Sequence, residues 1–478
     1  MYLGIDLGTS GVKATLIDDN QQALGSETAG LTVSRPHPNW SEQDPADWIL
    51  ATRHAVGALA RSHDLSSVGG IGLSGQMHGA VALDAAGAVL RPAILWNDTR
   101  SHAEAAELDA KPEMRRLSGN IVFPGFTAPK LVWMARHEPD LFARVACVLL
   151  PKDYLRLWLT GERVSEMSDA SGTSWLDVAG RDWSGALLSA SGMSRAQMPA
   201  LVEGSEVSGV LRRELAAEWG ITGSVVVAGG AGDNAATAIG AGTVAKGQGF
   251  VSLGTSGVVF AASDHFLPAP ETAVHAFCHA LPGRWHQMGV ILSASAALEW
   301  LAGVLDTSPA ELTSDLGPLQ PPGSAMFLPY LSGERTPHND ALAKGLLAGL
   351  TPLTDRAALT RAVLEGVTFA LADNLTALRA AGAELDGLLA LGGGARSDYW
   401  LRLIASVLDL PVMLPVGGDY GAAFGAARLG MMAATGAGSD EICAMPAIAA
   451  EIRPDPALVP AFAESHARFR ALYPASRA

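Results

Sequence analysis

Short apolar runs that close on glycine or aspartate recur along the chain, and between them lie stretches whose apolar positions return with helical spacing. The N-terminal stretch MYLGIDLGTSGVKATLID reads as a strand to Asp6, a tight glycine turn, and a second strand from Val12 to Ile17, which together make a hairpin. A helix is predicted over about Asp44 to Arg61. Asp44 suits its N-cap, Pro45 its first position, and Trp48, Ile49, Ala55, Val56 and Leu59 share a face around Thr52. Apolar strands at Ile71 to Leu73 and Val81 to Leu83 supply a sheet for that helix to cover. In the second half, FVSLGTSGVVFAAS (Phe250 to Ser263) again reads strand, glycine turn, strand. Leu388 to Leu391 forms a strand closing on Gly392, Gly393 and Gly394, followed by a helix from about Ser397 to Leu408, a strand at Val412 to Leu414, and a small-residue helix from about Tyr420 to Thr435. This order of elements predicts a mixed α/β fold.

The hexapeptide LGTSGV stands at Leu7 to Val12 and again at Leu253 to Val258, 246 positions apart in a chain of 478. Each copy sits in the same strand, turn, strand context, so the chain reads as two versions of one plan. A boundary falls near residue 245, in AGTVAKGQG, giving lobes 1–245 and 246–478. Glycine at a hairpin tip permits unusual backbone angles and turns successive N–H groups outward, a concavity that suits an anion. Two such turns facing one cleft could hold the phosphates of a nucleotide from both sides, through Gly8, Thr9 and Ser10 in the first and Gly254 and Thr255 in the second. The first copy carries extra chemistry: Asp6 can hold a hydrated Mg²⁺, and Lys13 can reach a phosphate oxygen. Ser252 and Val259 replace them in the second copy, so the halves are not equivalent. The competing reading is a plain hairpin with a surface lysine.

The hydrophobic share of 49% leaves ample material for buried cores. A formal net charge of −15 argues against a nucleic-acid partner, whose binding needs clustered Lys and Arg. Cys147, Cys278 and Cys443 have no paired spacing, so neither a disulfide framework nor a zinc knuckle is expected, and a reducing compartment fits. The N-terminus lacks a basic segment followed by an apolar stretch, and no long apolar run occurs; a soluble, cytoplasmic protein without a membrane partner is the expectation.

VVVAGGAGDNAATAIGAG (Val225 to Gly242) reads as a buried strand, a glycine-rich turn carrying Asp233 and Asn234, and a helix of small residues. An aspartate there serves either as helix N-cap or as a carboxylate at a cleft edge. Gly230, Gly232 and Ala235 also satisfy the GxGxxG/A pattern of dinucleotide folds, but no acidic residue closes a second strand about 20 positions on. Walker-type and nucleophile-elbow motifs are absent, which excludes P-loop kinases and α/β hydrolases.

DLGTSG, its partner LGTSG, and the late strand followed by GGGA are together similar to the phosphate and adenosine loops of the superfamily that joins actin, the heat-shock chaperone ATPases and the sugar kinases. Within it, GFTAPKLVWMARH (Gly125 to His137) and GLLAGL with AVLEG (Gly345 to Gly366) resemble the two signatures of the FGGY carbohydrate kinases, with a departure at Ala358, where the pattern has a polar residue. SGQMHG, PAILWNDTR, LLPKDYLR and PYLSGERTPHND resemble the branch of that family that acts on D-xylulose. The likeness runs from residue 1 to about 435 and implies two similar lobes of the actin-like (ribonuclease H-like) type around a central nucleotide cleft. It further implies an ATP- and Mg²⁺-dependent kinase that makes D-xylulose 5-phosphate.

By this resemblance Asp233 is the general base, accepting the proton of the sugar hydroxyl while the γ-phosphoryl group is positioned and its charge stabilised. Mg²⁺ is held near Asp6 and Asp233 through water. Gln76, Met77, His78, Asp98 and Asn234 contact the ketose, and Trp96 supplies either a flat wall to the sugar or simple packing. Gly393, Gly394 and Ala395 allow close approach of adenosine. Asp153, Glu334 and Arg335 read as supporting residues or lobe-bridging ion pairs, and a homodimer is common in similar proteins. The alternatives are a family member acting on L-ribulose, glycerol or gluconate, and a chaperone-like or filament-forming ATPase. Against the last, nothing resembling a peptide-binding domain follows residue 435.

Overall fold

The computed structural model describes residues 1–314, 316–417 and 420–477. The first lobe is built on strands β1 (Tyr2–Leu7), β2 (Gly11–Ile17) and β3 (Ala23–Gly30), with helix α1 (Pro45–Ser62) and strand β4 (Gly70–Gly75) following. Strands β5 (Val207–Val210), β6 (Val226–Ala228) and the two-residue β7 (Ala231–Gly232) complete its sheet, and helix α2 (Asp233–Ala241) leaves it. The strand order is β5-β6-β4-β1-β2-β3, with β7 also paired to β4. β1, β2 and β3 form an antiparallel meander, and β1, β4 and β6 run parallel.

The second lobe contains β8 (Gly249–Leu253), β9 (Gly257–Ser263), β10 (His275–Cys278) and β11 (Trp285–Ile291), then helices α3 (Ser295–Val304) and α4 (Arg356–Ala380). Strand β12 (Leu388–Leu391), helix α5 (Asp398–Leu408), strand β13 (Val412–Pro415), helix α6 (Ala422–Thr435) and strand β14 (Ile448–Ile452) end it. Its order, β14-β13-β12-β8-β9-β11-β10, repeats the first sheet strand for strand from β14 to β11, with the same parallel and antiparallel pairings. β8 takes the place of β1 and β9 that of β2, so the two LGTSGV segments are equivalent hairpin turns. The duplication in the sequence is a duplication in space.

Local chemistry explains the elements. Asp44 accepts from the Ala46 N–H at 2.9 Å, Pro45 opens α1, and the helix lies on β2 and β3 with Trp48, Thr52, Ala55, Val56 and Leu59 buried. Leu3, Ile5, Leu7, Ile71 and Leu73 are fully shielded on the face they share with α1, and they alternate with Gly4 and Gly72, which leave the opposite face open to a close-packed helix. In the second lobe Val251, Leu253 and Leu388 pack with Val363 and Val367 of α4 and Leu401 and Ile404 of α5. A largely helical insertion between β4 and β5 has its own core around Met114, Leu131, Trp133 and Trp175.

The lobes are joined through a pair of exchanged helices. α6, which follows residue 245, lies against β1 and β4 of the first lobe, while Ala238 and Ala241 of α2 pack with Phe250 and Leu389 of the second. α2 and α6 touch each other along their length. Small residues make this possible: a Cβ on Gly72 would sit 1.7 Å from the Ala426 carbonyl oxygen, and one on Gly425 would sit 1.8 Å from that of Ala236. The close approach fixes both lobes on one central layer, and so sets how their loops meet.

Candidate active site

The first turn hangs from β1 and β2. Gly8 N–H bonds the Gly11 carbonyl at 3.0 Å, the Leu31 N–H bonds that of Ser10 at 2.9 Å, and Gln43 Nε2 donates to that of Thr9 at 2.8 Å. In a planar trans peptide the N–H points opposite the C=O, so these bonds turn the amides of Ser10 and Gly11 away from the sheet. The second turn is held from behind by the entry to α3: the Ser295 N–H bonds the Gly254 carbonyl and the Ala294 N–H that of Thr255, both at 2.9 Å. The amides of Thr255 and Ser256 therefore point away from α3. Each turn thus offers a short row of outward N–H donors, the element that binds phosphate oxygens. Gly8 spends its own N–H inside the turn and contributes backbone shape.

Beside the second turn, Gly392 takes a φ of 87° and the chain passes through Gly393 and Gly394. A Cβ on Gly394 would press on Leu253 and Trp400 at 2.8 Å, whereas nothing lies within 4 Å of one on Gly393. Both glycines line a depression of about 570 Å³ with Ser295, Leu298, Glu299 and Trp400, sized for a nucleoside. Ala395 turns inward and is 7% exposed.

Asp6 lies in register with Ser74 on β4 and Lys13 on β2, and Gly232 is in register with Gly75 on the other side of β4. The carboxylates of Asp6 and Asp233 are thereby brought to neighbouring strand ends, about 10 Å apart at the backbone, two strand spacings. Burial, and then the charge of Asp233, push Asp6 up to about 6, with Ser74 and Lys13 pulling it down. Its Oδ1 is buried with no hydrogen-bond partner. A buried oxygen without a donor beside a second carboxylate is what a cation would satisfy. Two carboxylates together with phosphate oxygens and water suit Mg²⁺, which rarely takes an all-protein cage. Among the described residues no cluster of three or more His, Cys, Asp or Glu forms a self-contained metal site.

Asp233 is the first residue of α2 and Gly232 is its N-cap, so the aspartate does not cap the helix. Its Oδ1 accepts from the backbone N–H of Asn234 at 2.7 Å and from Asn234 Nδ2 at 3.0 Å. Burial raises its pKa and these two donors lower it. The strand before it is clamped from below. Gly232 N–H donates to Ser168 Oγ at 3.0 Å, Ser168 Oγ donates to Glu166 Oε1 at 3.0 Å, and Arg156 donates to the Gly229 carbonyl. Glu166 belongs to a fully buried ion cluster in which Lys152 Nζ lies 2.7 Å from Asp153, 3.3 Å from Glu166 and 3.1 Å from Asp169. Asp153 is therefore a supporting residue inside the first lobe and bridges nothing to the second.

A cavity of about 270 Å³ opens in front of Asp233 and Asn234. Met77, His78, Trp96, Phe123 and Phe126 form its first-lobe side, and Ser256, Val258, His275, Val290 and Arg335 stand among the second-lobe residues across from them. His78 has a left-handed φ of 69° and stacks on Phe126 with ring centroids 4.4 Å apart. Its Nδ1–H donates to the Gly172 carbonyl at 2.7 Å, and burial pushes its pKa down to about 3. It is a neutral imidazole whose Nε2 is left as an acceptor for a hydroxyl. Lys130 Nζ ties the His78 and Gly125 carbonyls together at 2.7 Å each, which gives the GFTAPK stretch a physical role. The Arg335 guanidinium lies over the Phe123 ring at 4.2 Å, so it bridges the lobes through a ring, and burial lowers its pKa to about 10. Among the described residues it has no carboxylate within ion-pair distance. Glu334 accepts from the N–H groups of Leu292 and Arg335 at 3.0 and 2.7 Å and stays in its own lobe.

Two of the residues assigned to the sugar from sequence point elsewhere. Asp98 is fully buried, accepts from Arg100 Nε and Nη2 at 2.7 to 3.0 Å and from Ser41 N–H at 2.6 Å, and does not reach the cavity. Gln76 is 3% exposed and bonded to Thr9 and Gln43 behind the first turn. Phe123, Phe126 and His275, which the sequence does not single out, line the cavity, and so does Arg335, expected above as a supporting residue or an ion-pair partner between the lobes. Arg335, Phe123 and Phe126 lie within or beside the quoted motifs, whereas His275 carries no local signal.

A two-lobed α/β fold with duplicated phosphate-type turns and a carboxylate at the mouth of a small polar-tipped cavity defines a phosphotransferase acting on a small hydroxylated molecule. The N-terminal domain of the FGGY family of carbohydrate kinases matches residues 1–240 and the C-terminal domain residues 249–434. The chain belongs to the FGGY family of carbohydrate kinases. It is 53% identical over 437 residues to the xylulose kinase of Escherichia coli K12, covering 91% of this chain and 90% of that one. With the xylulose kinase of Bacillus subtilis it shares 37% over 447 residues, 91% and 88% of the two chains. Among solved structures it superposes on a xyloylose kinase from Brucella ovis with a TM-score of 0.97 at 63% identity, covering 99% of both chains. The xylulose kinase from Rhodospirillum rubrum gives 0.92 at 31% identity, over 99% of this chain and 98% of that one.

Proposed function

We propose that this FGGY kinase transfers the γ-phosphoryl group of ATP to the terminal hydroxyl of D-xylulose, giving D-xylulose 5-phosphate and ADP. The observation that carries the reading is the placement of Asp233: one carboxylate oxygen is fixed by Asn234, Asp6 is close enough to feel its charge, and Asp233 lines a cavity of about 270 Å³ together with Ser256 of the second glycine turn. The choice of xylulose rests on similarity over nine-tenths of the chain to proteins of that activity.

The amides of Ser10, Gly11, Thr255 and Ser256 would hold the phosphate chain from both lobes, with adenosine over Gly393 and Gly394. His78 Nε2 accepts from a sugar hydroxyl, Arg335 donates to sugar oxygens, and the apolar rings exclude water. Asp233 takes the proton of the attacking hydroxyl as its oxygen bonds to the γ-phosphorus and the bond to the β-phosphate oxygen breaks. Asp6, with Asp233 through water, would hold Mg²⁺, which when bound would offset the charge of the phosphate oxygens. Because both lobes line the sugar cavity, closure brings the phosphate loops to the base and keeps water out. The test is a panel of D-xylulose, L-ribulose, glycerol and gluconate compared by kcat/KM with MgATP in a coupled ADP assay. D-Xylulose should lead by at least tenfold; ATP turnover indifferent to any of them would overturn the reading.

A further inference from the structure

A chain of hydrogen bonds runs from the sugar cavity, through the first phosphate turn, into the core of the first lobe. Trp96 Nε1–H donates to Thr9 Oγ1 at 2.9 Å, Thr9 Oγ1–H donates to Gln76 Oε1 at 3.0 Å, and Gln76 Nε2–H donates to Gln43 Oε1 at 3.0 Å. Trp48 Nε1–H reaches the same Gln43 oxygen at 3.0 Å, and Gln43 Nε2–H returns to the Thr9 carbonyl at 2.8 Å. An indole can only donate, so with one at each end every amide and hydroxyl between them has a single consistent orientation. The hydroxyl of Thr9 has its one proton committed to Gln76 and accepts from Trp96. It has nothing left to donate to a phosphate.

The two ends differ in freedom. Trp48, Gln43 and Gln76 are 0%, 2% and 3% exposed, whereas Trp96 is 43% exposed in the wall of the sugar cavity. We propose that Thr9 is a positioning residue that couples the sugar site to the nucleotide site. A sugar packed on Trp96 confines the indole. The indole then fixes the Thr9 side chain, and the Gln43 bond carries that order to the Thr9 carbonyl, hence to the Ser10 amide of the same peptide unit. A turn already ordered binds the nucleotide at a smaller entropic cost, and the same term favours sugar when nucleotide binds first. This inference rests on the reading of the site as a sugar kinase.

The test is the affinity of a non-hydrolysable ATP analogue with Mg²⁺, measured by titration calorimetry with and without saturating D-xylulose. Thr9→Val keeps the side-chain shape and removes the hydroxyl; Trp96→Phe keeps a ring and removes the N–H; melting curves verify that both fold. Wild type should bind the analogue about fivefold or more tightly with sugar present, the worth of one neutral hydrogen bond. Each variant should lose that gain, the double variant should lose no more than either alone, and Thr9→Ser should keep it. A gain absent from wild type, a gain surviving in either single variant, or additive losses would overturn the inference. Wild-type turnover separates the two claims. No phosphorylation of D-xylulose sinks the reading of the site and this inference with it; phosphorylation with the gain intact in a variant sinks the coupling alone.

Discussion

Replacing Asp6 with Asn should raise the stability of the metal-free protein and lower its activity, and the two effects have one cause. In the folded chain burial and Asp233 lift Asp6 from 3.8 to about 6. A carboxyl that holds its proton more tightly folded than unfolded favours the fold when protonated and disfavours it when ionised. That burden is absent well below pH 4, grows as the pH rises through 4 to 6, and is complete above about 6. About two pH units at about 1.4 kcal/mol each give roughly 3 kcal/mol as an upper bound at pH 7 to 8. Asn has the same shape and no charge, so the stability difference between Asp6→Asn and wild type should widen by about 2 to 3 kcal/mol between pH 4 and pH 8. Urea denaturation in EDTA, run on both proteins across that range, reads the difference directly. With Mg²⁺ and nucleotide added the order should reverse in function, with turnover of the variant reduced by about tenfold or more. Parallel stability profiles would refute the claim that Asp6 is a buried carboxylate kept ionised for a cation.

Three further variants probe the surroundings. Arg335→Met keeps the stem over Phe123 but removes the donors; sugar KM should rise on the order of tenfold, the usual worth of a hydrogen bond to a charged group, with ATP KM little changed in steady-state kinetics. Ser168→Ala leaves the buried Gly232 N–H without its partner, so stability should fall by about 1 to 3 kcal/mol in denaturant melts and kcat should drop several-fold as Asp233 loses its fixed backbone. Gly425→Ala places a methyl 1.8 Å from the Ala236 carbonyl, which helices cannot absorb without separating; a loss of about 3 kcal/mol or more is expected, read as a lowered Tm.

The duplicated plan was legible because the turns of both hairpins repeat the six letters LGTSGV, and β8 and β9 take the places of β1 and β2. Strands Leu388–Leu391 and Val412–Pro415 and the capped helix α1 were readable for local reasons: glycine stops, an apolar run, and an Asp-Pro start. The third meander strand β3 was not, since its exposed residues alternate weakly and it is an edge. Nor could a division at residue 245 show α2 and α6 exchanging sides, which depends on contacts between helices some 190 residues apart in sequence. Asp233 stands at the strand-to-helix turn read from the sequence and lines the cavity, whereas Asp98, expected beside it, does not. A carboxylate in a loop looks available until Arg100 and Ser41, which surround it in space, are seen to use both of its oxygens. His275 illustrates the opposite limit, since a cavity wall assembled from several strands leaves no contiguous motif.

The role of Asp233 as the base is read from the turnover of Asp233→Ala on D-xylulose alongside its affinities for sugar and ATP analogue by calorimetry. The expected result is a kcat lowered by about 10² to 10⁴ with folding and ATP-analogue affinity retained, as removal of a general base requires. Turnover within about twofold of wild type would contradict it.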